Sequence, residues 1–381
     1  MKRTLATTVP AALIALGLAG AAHAEFRLGA SVSATGPAAF LGDPEAKTLE
    51  MLVAELNSNG GIDGEQVKLV LYDDGGDANK ARTFATRLIE DDEVQAIIGG
   101  TTTGPSMSIL AVAEDAGVPF ISLAGAIDII QPVKPFTFKT PHTDRMACQK
   151  IFEDMQKGGI SRIGMISGTD GFGASMQAQC KDVVGDYGIE IVADETYDPR
   201  DADMTAQLTK IKNAEGVQAV LNPGFGQGPS IVTRNYRQLG IELPLYQSHG
   251  VASDGFIELA GKEAAEGVRL PGTALLIADL LGDDDPQKPA VSAYKAAYEG
   301  KYKQPVGTFG GYAHDAFALL VDAVTRADST KPEAIREALE QTAGLAGTTG
   351  VYTMSAEDHL GLDLSAFRML EVRDGSWAVV E

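Results

Sequence analysis

The sequence is poor in residues that hold metals or begin covalent chemistry: two cysteines and five histidines in 381 residues. The histidines, at His23, His142, His249, His314 and His359, have no spacing that suits a metal site. No G-x-S-x-G elbow, no H-E-x-x-H and no C-x-x-C occurs, so nothing marks a hydrolase nucleophile, a zinc peptidase or a dithiol redox site. Positive charge is also scarce. Against 52 acidic residues stand 31 basic ones, a formal net charge of −21, which disfavours nucleic acid and anionic membrane as partners. Long apolar runs are absent beyond the first residues, and the one at Ala11 to Ala22 is too short to span a bilayer. In an oxidising compartment Cys148 and Cys180 form one disulfide or stand as two buried thiols.

What the start does carry is an export signal. Lys2 and Arg3 precede the apolar run, and Ala22-His23-Ala24 supplies a small-x-small cleavage site. Residues 1–24 are therefore expected to be a signal peptide cut after Ala24, leaving a mature chain from Glu25. No cysteine follows the cut, so a lipid anchor there is not expected. The expected product is soluble and exported, periplasmic where an outer membrane exists, with no direct membrane insertion.

Beyond the leader the pattern is strand, helix, strand. Strands are expected at Phe26 to Val32, Val67 to Tyr72, Val94 to Ile98 and Phe120 to Leu123, with amphipathic helices between them. Helix Ala78 to Glu90, for example, puts Ala81, Phe84, Ala85, Leu88 and Ile89 on one stripe. After Pro132, Pro135 and Pro141 the alternation restarts, and three long helices and two short strands close the chain. This is an α/β fold, with parallel sheets covered by helices on both faces and ligand sites at the carboxyl ends of the strands.

The stretch Ile97 to Ala126 is the most informative. An apolar strand runs into Gly99-Gly100-Thr101-Thr102-Thr103-Gly104-Pro105-Ser106. Thr103 reads as an N-cap and Pro105 as a first-turn residue, so the free amides of a helix would face the loop and favour an anion. Gly99, Gly104 and Ser106 match the phosphate-loop spacing, but Pro105 stands where its lysine belongs. That fits a carboxylate better than a nucleoside triphosphate. Gly224-Phe225-Gly226 imitates a dinucleotide fingerprint, with Pro229 in place of the third glycine. Asp73-Asp74 reads as a strand-ending pair of turn acceptors rather than an acid–base pair. An anion loop without reaction machinery points to binding rather than catalysis, with no cofactor and no metal.

The chain resembles the substrate-binding proteins of branched-chain (hydrophobic) amino-acid ABC transporters, over Glu25 to Glu381. The marks are Ser33-Ala34-Thr35-Gly36-Pro37, Gly42-Asp43, Asn57 to Gly64, Val70 to Asp74, Gly117-Val118-Pro119, Phe138-Lys139-Thr140, Phe172-Gly173 and Tyr312 to Ala316. The resemblance implies a type I periplasmic binding protein: two doubly wound parallel-sheet lobes joined by three hinge strands, near Thr140, Pro271 and Gly347. Residues 25–140 and 272–347 would form lobe 1, and residues 141–271 and 348–381 lobe 2. It implies a cleft in which Thr103, flanked by Thr101 and Thr102, holds a ligand carboxylate and the Ala124 carbonyl accepts from a ligand donor. Phe40 or Leu41, Phe172, Phe225 and Phe309 would wall the apolar part. The ammonium site of the amino-acid binders falls at Ala126, where a hydroxyl is missing, and at His249, where an acid is missing, with Asp254 as a substitute acid. The ligand is therefore expected to be a small carboxylate, either a hydrophobic amino acid or an aromatic or keto acid. The implied partner is an ABC permease at the inner membrane. A ligand-binding sensory protein is the alternative, and a secreted enzyme acting on a carboxylate or amide a weaker one.

Overall fold

The computed structural model describes residues 25–380; the expected signal peptide lies outside the described residues. The first lobe begins with β1 (Phe26–Val32), α1 (Ala39–Ser58), β2 (Val67–Asp73), α2 (Ala78–Glu90), β3 (Ala96–Gly99), α3 (Thr103–Ala116), β4 (Phe120–Ser122) and β5 (Thr137–Lys139). Local chemistry starts and stops these elements. Asp77 caps α2 by accepting from the Asn79 and Lys80 amides, and Gly117 ends α3 in the left-handed conformation. The five strands are parallel in the order β2-β1-β3-β4-β5. β1 and β3 are buried along almost their whole length, as strands covered by helices on both faces must be.

The second lobe repeats the plan. α4 (Asp144–Lys157), β6 (Arg162–Gly168), α5 (Gly171–Val183), β7 (Glu190–Tyr197), α6 (Thr205–Lys212), β8 (Ala219–Asn222), α7 (Gln227–Gln238), β9 (Leu245–Gln247), α8 (Asp254–Ala260), α9 (Lys262–Ala265) and β10 (Arg269–Gly272) follow in turn. α10 (Lys288–Tyr302), α11 (Thr308–Ala327) and α12 (Pro332–Glu340) come next, then the hairpin of β11 (Ala343–Ala346) and β12 (Val351–Thr353), and finally β13 (Arg368–Arg373) and β14 (Ser376–Val379). The second sheet runs β7-β6-β8-β9-β10-β13-β14, parallel as far as β10 and antiparallel beyond it. Its first five strands have the order of the first sheet. Each sheet therefore reverses direction at one point, between β1 and β3 and between β6 and β8. Such switch points leave a crevice at the carboxyl ends of the strands.

Cys148 on α4 and Cys180 on α5 form a fully buried disulfide that closes a 32-residue separation. A loop of that length implies about 3–4 kcal/mol from restriction of the unfolded chain. α10 belongs with the first lobe: the Tyr294 hydroxyl lies 2.7 Å from that of Thr48, and the Tyr302 hydroxyl donates to the Lys47 carbonyl at 2.7 Å. Gly347, near which a third hinge is expected, is the tip of the β11–β12 hairpin and is clamped to α11. Buried Asp315 accepts from the Thr348 and Thr349 amides at 2.7 Å each and from the Tyr352 hydroxyl at 3.1 Å. A Cβ on Gly347 would lie 2.5 Å from the Asp315 carboxyl carbon, so only glycine lets the turn approach. The chain then follows the edge of the first sheet, where the Lys139 amide donates to the His359 carbonyl at 3.2 Å, and pairs with the second sheet only at β13.

Replacing Asp315 with alanine would leave two buried amides without an acceptor. The expected loss is about 3–5 kcal/mol of unfolding free energy, read from urea midpoints at constant slope. A loss below about 1 kcal/mol would contradict the role given to this clamp.

Candidate functional site

The two switch points face each other, and between them lies a cleft with about 400 Å³ free of protein atoms. Leu41 from α1, Thr101 to Thr103 at the entrance to α3, Leu123 to Gly125 after β4, and Phe309 and Tyr312 on α11 form one wall. Phe172 on α5, Phe225 before α7, and His249 and Gly250 after β9 form the other, with Pro141 from the first crossing between them.

Local hydrogen bonds fix these side chains. Asp170 caps α5 by accepting from the Phe172 and Gly173 amides, both at 3.0 Å, which aims Phe172 into the cleft. The Ser248 hydroxyl donates to the Gly224 carbonyl and accepts from the Gly250 amide at 3.1 Å, tying the His249 turn to the Phe225 loop. The rings of Phe172 and His249 meet edge to face at 5.4 Å, and those of Phe172 and Phe225 at 6.2 Å.

The polar atoms of the first wall divide into used and unused. Thr101 is used: its hydroxyl donates to Glu45 at 2.5 Å and accepts from the Ser33 amide at 2.9 Å. Glu45 is fully buried under the loop, and burial raises its pKa well above its ordinary value, which favours the neutral acid. Asp74 is used as a turn acceptor, taking the Ser31 and Ser33 hydroxyls at 2.9 and 2.7 Å. The N-cap of α3 is Thr102, not Thr103, and its side chain makes no capping bond. Thr103 is the first helical residue and Pro105 the third, so the leading amides of the helix have no intrahelical partner. The Thr103 hydroxyl is buried without a partner. The Ala124 amide goes to the Ser122 hydroxyl at 3.2 Å, while among the described residues nothing donates to the Ala124 carbonyl.

Not all the expected residues meet here. Ala126 is fully buried outside the cleft lining, because its peptide begins the turn at Ile127–Ile129. Phe40 turns away to pack edge to face on Phe309 at 5.8 Å and lines a neighbouring groove, leaving Leu41 in the cleft. Asp254 lies in that same groove and is not in the cleft. Tyr312 was not among the expected residues; its position three residues after Phe309 on a helix is the signal that places it there. Among the described residues no aspartate or glutamate lines the cleft. Its one ionisable imidazole, His249, is buried, and burial pushes its pKa down to about 3, so it is neutral. The described residues contain no cluster of metal-ligating side chains and no helix long and apolar enough to cross a membrane.

Two α/β lobes with an apolar, polar-tipped cleft between their strand ends define a hinged ligand-binding protein. The chain belongs to the periplasmic binding protein family, whose model matches residues 25–376. It is 27% identical over 310 residues, 80% of this chain and 79% of the relative, to a leucine-, isoleucine-, valine-, threonine- and alanine-binding protein of Pseudomonas aeruginosa. To a Leu/Ile/Val-binding protein homolog of Brucella melitensis it is 25% identical over 363 residues, covering 94% and 95% of the two chains. Among solved structures, an extracellular ligand-binding receptor from Rhodopseudomonas palustris superposes with a TM-score of 0.87 at 28% identity, over 94% of this chain and 100% of that one. An isoleucine complex of a branched-chain amino-acid transporter substrate-binding protein from Streptococcus pneumoniae shares the fold, with a TM-score of 0.82 at 24% identity, over 94% and 99% of the chains. These relatives are ligand-binding proteins, and the resemblance to the branched-chain amino-acid binders holds across the chain.

The neutral His249 has a measurable consequence. Its pKa is about 3 in the fold and about 6.5 when unfolded, so its contribution is complete above that higher value and is lost as pH falls toward the lower one. Unfolding free energy should drop by about 1.4 kcal/mol per pH unit for this group below about pH 6. His249→Gln should remove that share of the slope in urea titrations between about pH 6 and pH 4.5; an unchanged slope would contradict the assignment.

Proposed function

We propose that the protein is exported through its cleaved leader, captures a small carboxylate between its lobes in the periplasm, and delivers it to an ABC permease. The ligand carboxylate sits at the start of α3, against the Thr103 hydroxyl and the leading amides of the helix. Hydrogen bonds to a charged acceptor contribute about 1.5–3 kcal/mol each. Leu41, Phe309, Tyr312, Phe172 and Phe225 enclose the apolar body. The Ala124 carbonyl takes a ligand hydroxyl or a bridging water.

The observation that carries the ligand class is the absence, among the described residues, of any acidic side chain from the cleft lining. A buried ammonium needs a counter-charge, and a neutral imidazole supplies none. The reading is therefore an aromatic acid or a 2-oxo acid, without an α-ammonium. A hydrophobic amino acid is the second reading, and what favours it is that the relatives from Pseudomonas and Brucella are named for branched-chain amino acids.

A thermal-shift screen separates the two, since a ligand that binds only the folded state raises the melting temperature. Benzoate-like and phenylpyruvate-like acids should raise it by several degrees and leucine should not. Thr103→Val should weaken the acid roughly 10- to 150-fold while leaving the melting temperature of the free protein within about 2 °C. A shift with leucine and none with the acids would overturn the ammonium-free reading.

A further inference from the structure

The cleft lining supplies only partial positive charge to an acid, from a hydroxyl and a helix end. A basic side chain lies one layer beneath. Lys139, the last residue of β5, is completely buried. Its Nζ donates to the Ala126 carbonyl at 3.3 Å and the His142 carbonyl at 3.5 Å. Those carbonyls belong to the residues next to Gly125 and Pro141, both of which line the cleft floor.

No carboxylate lies within ion-pairing distance of Lys139 among the described residues. Asp144, at the start of α4, is the acid that faces it. Its carboxyl is already taken by the Ile127 amide at 3.0 Å, the Arg145 amide at 2.9 Å and the Ser175 hydroxyl. The other groups around this space are His142 on the crossing, His249 on the turn after β9, His359 beside β5 and Arg368 on β13, the last paired with Asp285 at 2.6 Å. His142 stacks on Phe367 at 3.6 Å, and neither of its ring nitrogens has a well-formed hydrogen bond, though the Ala366 carbonyl lies near. Burial keeps both His142 and His249 neutral.

We propose that Lys139 is the residue that sets charge specificity in the cleft: its buried ammonium beneath the floor is the counter-charge for an anionic ligand and repels a ligand ammonium. This rests on the ligand reading given above. Lys139 is a positioning residue, acting through the peptides of Ala126 and His142 rather than by contact. Burial holds its pKa down at about 7, so near neutrality the free protein carries the lysine partly deprotonated. An anion closing onto the floor favours the charged form. Binding then takes up a proton, and affinity is complete below the free-state pKa and falls as pH rises through the bound-state one. A zwitterionic amino acid brings no net charge and takes up no proton.

The test is calorimetric titration of the mature chain with phenylpyruvate, in buffers of different ionisation enthalpy. Uptake of about half a proton is expected at about pH 7.5, with the dissociation constant rising severalfold between about pH 6.5 and pH 8.5. Lys139→Met should weaken phenylpyruvate about tenfold, abolish the uptake and leave leucine unaffected. Lys139→Arg, charged at every pH used, should keep affinity while losing both the uptake and the pH dependence. Wild-type binding of phenylpyruvate without proton uptake, or uptake that survives in Lys139→Arg, would overturn the role of Lys139 and leave the ligand reading standing. No binding of phenylpyruvate, with leucine bound, would overturn both.

Discussion

The position of one buried carboxylate, Asp315, governs the geometry on which the cleft depends. It sits on the helix that carries Phe309 and Tyr312, and it gathers the Thr348 and Thr349 amides and the Tyr352 hydroxyl. The one proton of the Tyr352 hydroxyl is shared between Asp315 and the Thr140 carbonyl, each 3.1 Å away, and the Thr140 hydroxyl donates to the Tyr312 carbonyl at 2.9 Å. The first crossing between the lobes, the β11–β12 hairpin and one cleft wall are thus held by a single hydrogen-bonded knot. Each of these backbone groups is buried and would otherwise lack a partner, so the knot has little freedom to rearrange.

Around that fixed point the two lobes place equivalent features opposite each other. The same strand order gives each sheet one switch point, and each switch point delivers a loop and a helix start: Thr101 to Thr103 with α3 on one side, Phe225 with α7 and Phe172 with α5 on the other. The chemistry is divided accordingly. One wall offers an unpartnered hydroxyl and free helix amides, the other mostly aromatic faces. Burial disfavours the charged forms of Glu45 and His249, and the basic group beneath the cleft floor is the buried lysine.

Much of this was legible in the sequence, and the remainder failed for identifiable reasons. Strand and helix periodicity carried the two lobes and the loop after β3, because parallel strands covered on both faces leave an unambiguous apolar signature. Thr103 was within reach because glycines and a proline punctuate the start of α3. The choice between Phe40 and Leu41 was not, since adjacent positions on a helix differ by about 100° and only packing against Phe309 decides which one faces the cleft. Ala126 and Asp254 were named from the resemblance alone, and only the fold shows that one starts the turn at Ile127–Ile129 and the other lines the neighbouring groove. Lys139 entered the sequence reading only as part of the Phe138-Lys139-Thr140 mark, with no role of its own, because lysines are rarely fully buried; its burial under the Ala126 and His142 carbonyls is visible only in the fold.

On the proposed chemistry the cleft accepts a carboxylate and rejects an ammonium beside it. A matched pair tests this most directly: calorimetric titration with leucine and with the 2-oxo acid of the same carbon skeleton, at one pH and ionic strength. Size, shape and carboxylate are then held constant, and only the group on the second carbon differs. The oxo acid should bind at least about tenfold tighter than leucine, the discrimination expected when an ammonium is left without a counter-charge. Leucine binding as tightly as its oxo acid, or more tightly, would contradict that chemistry.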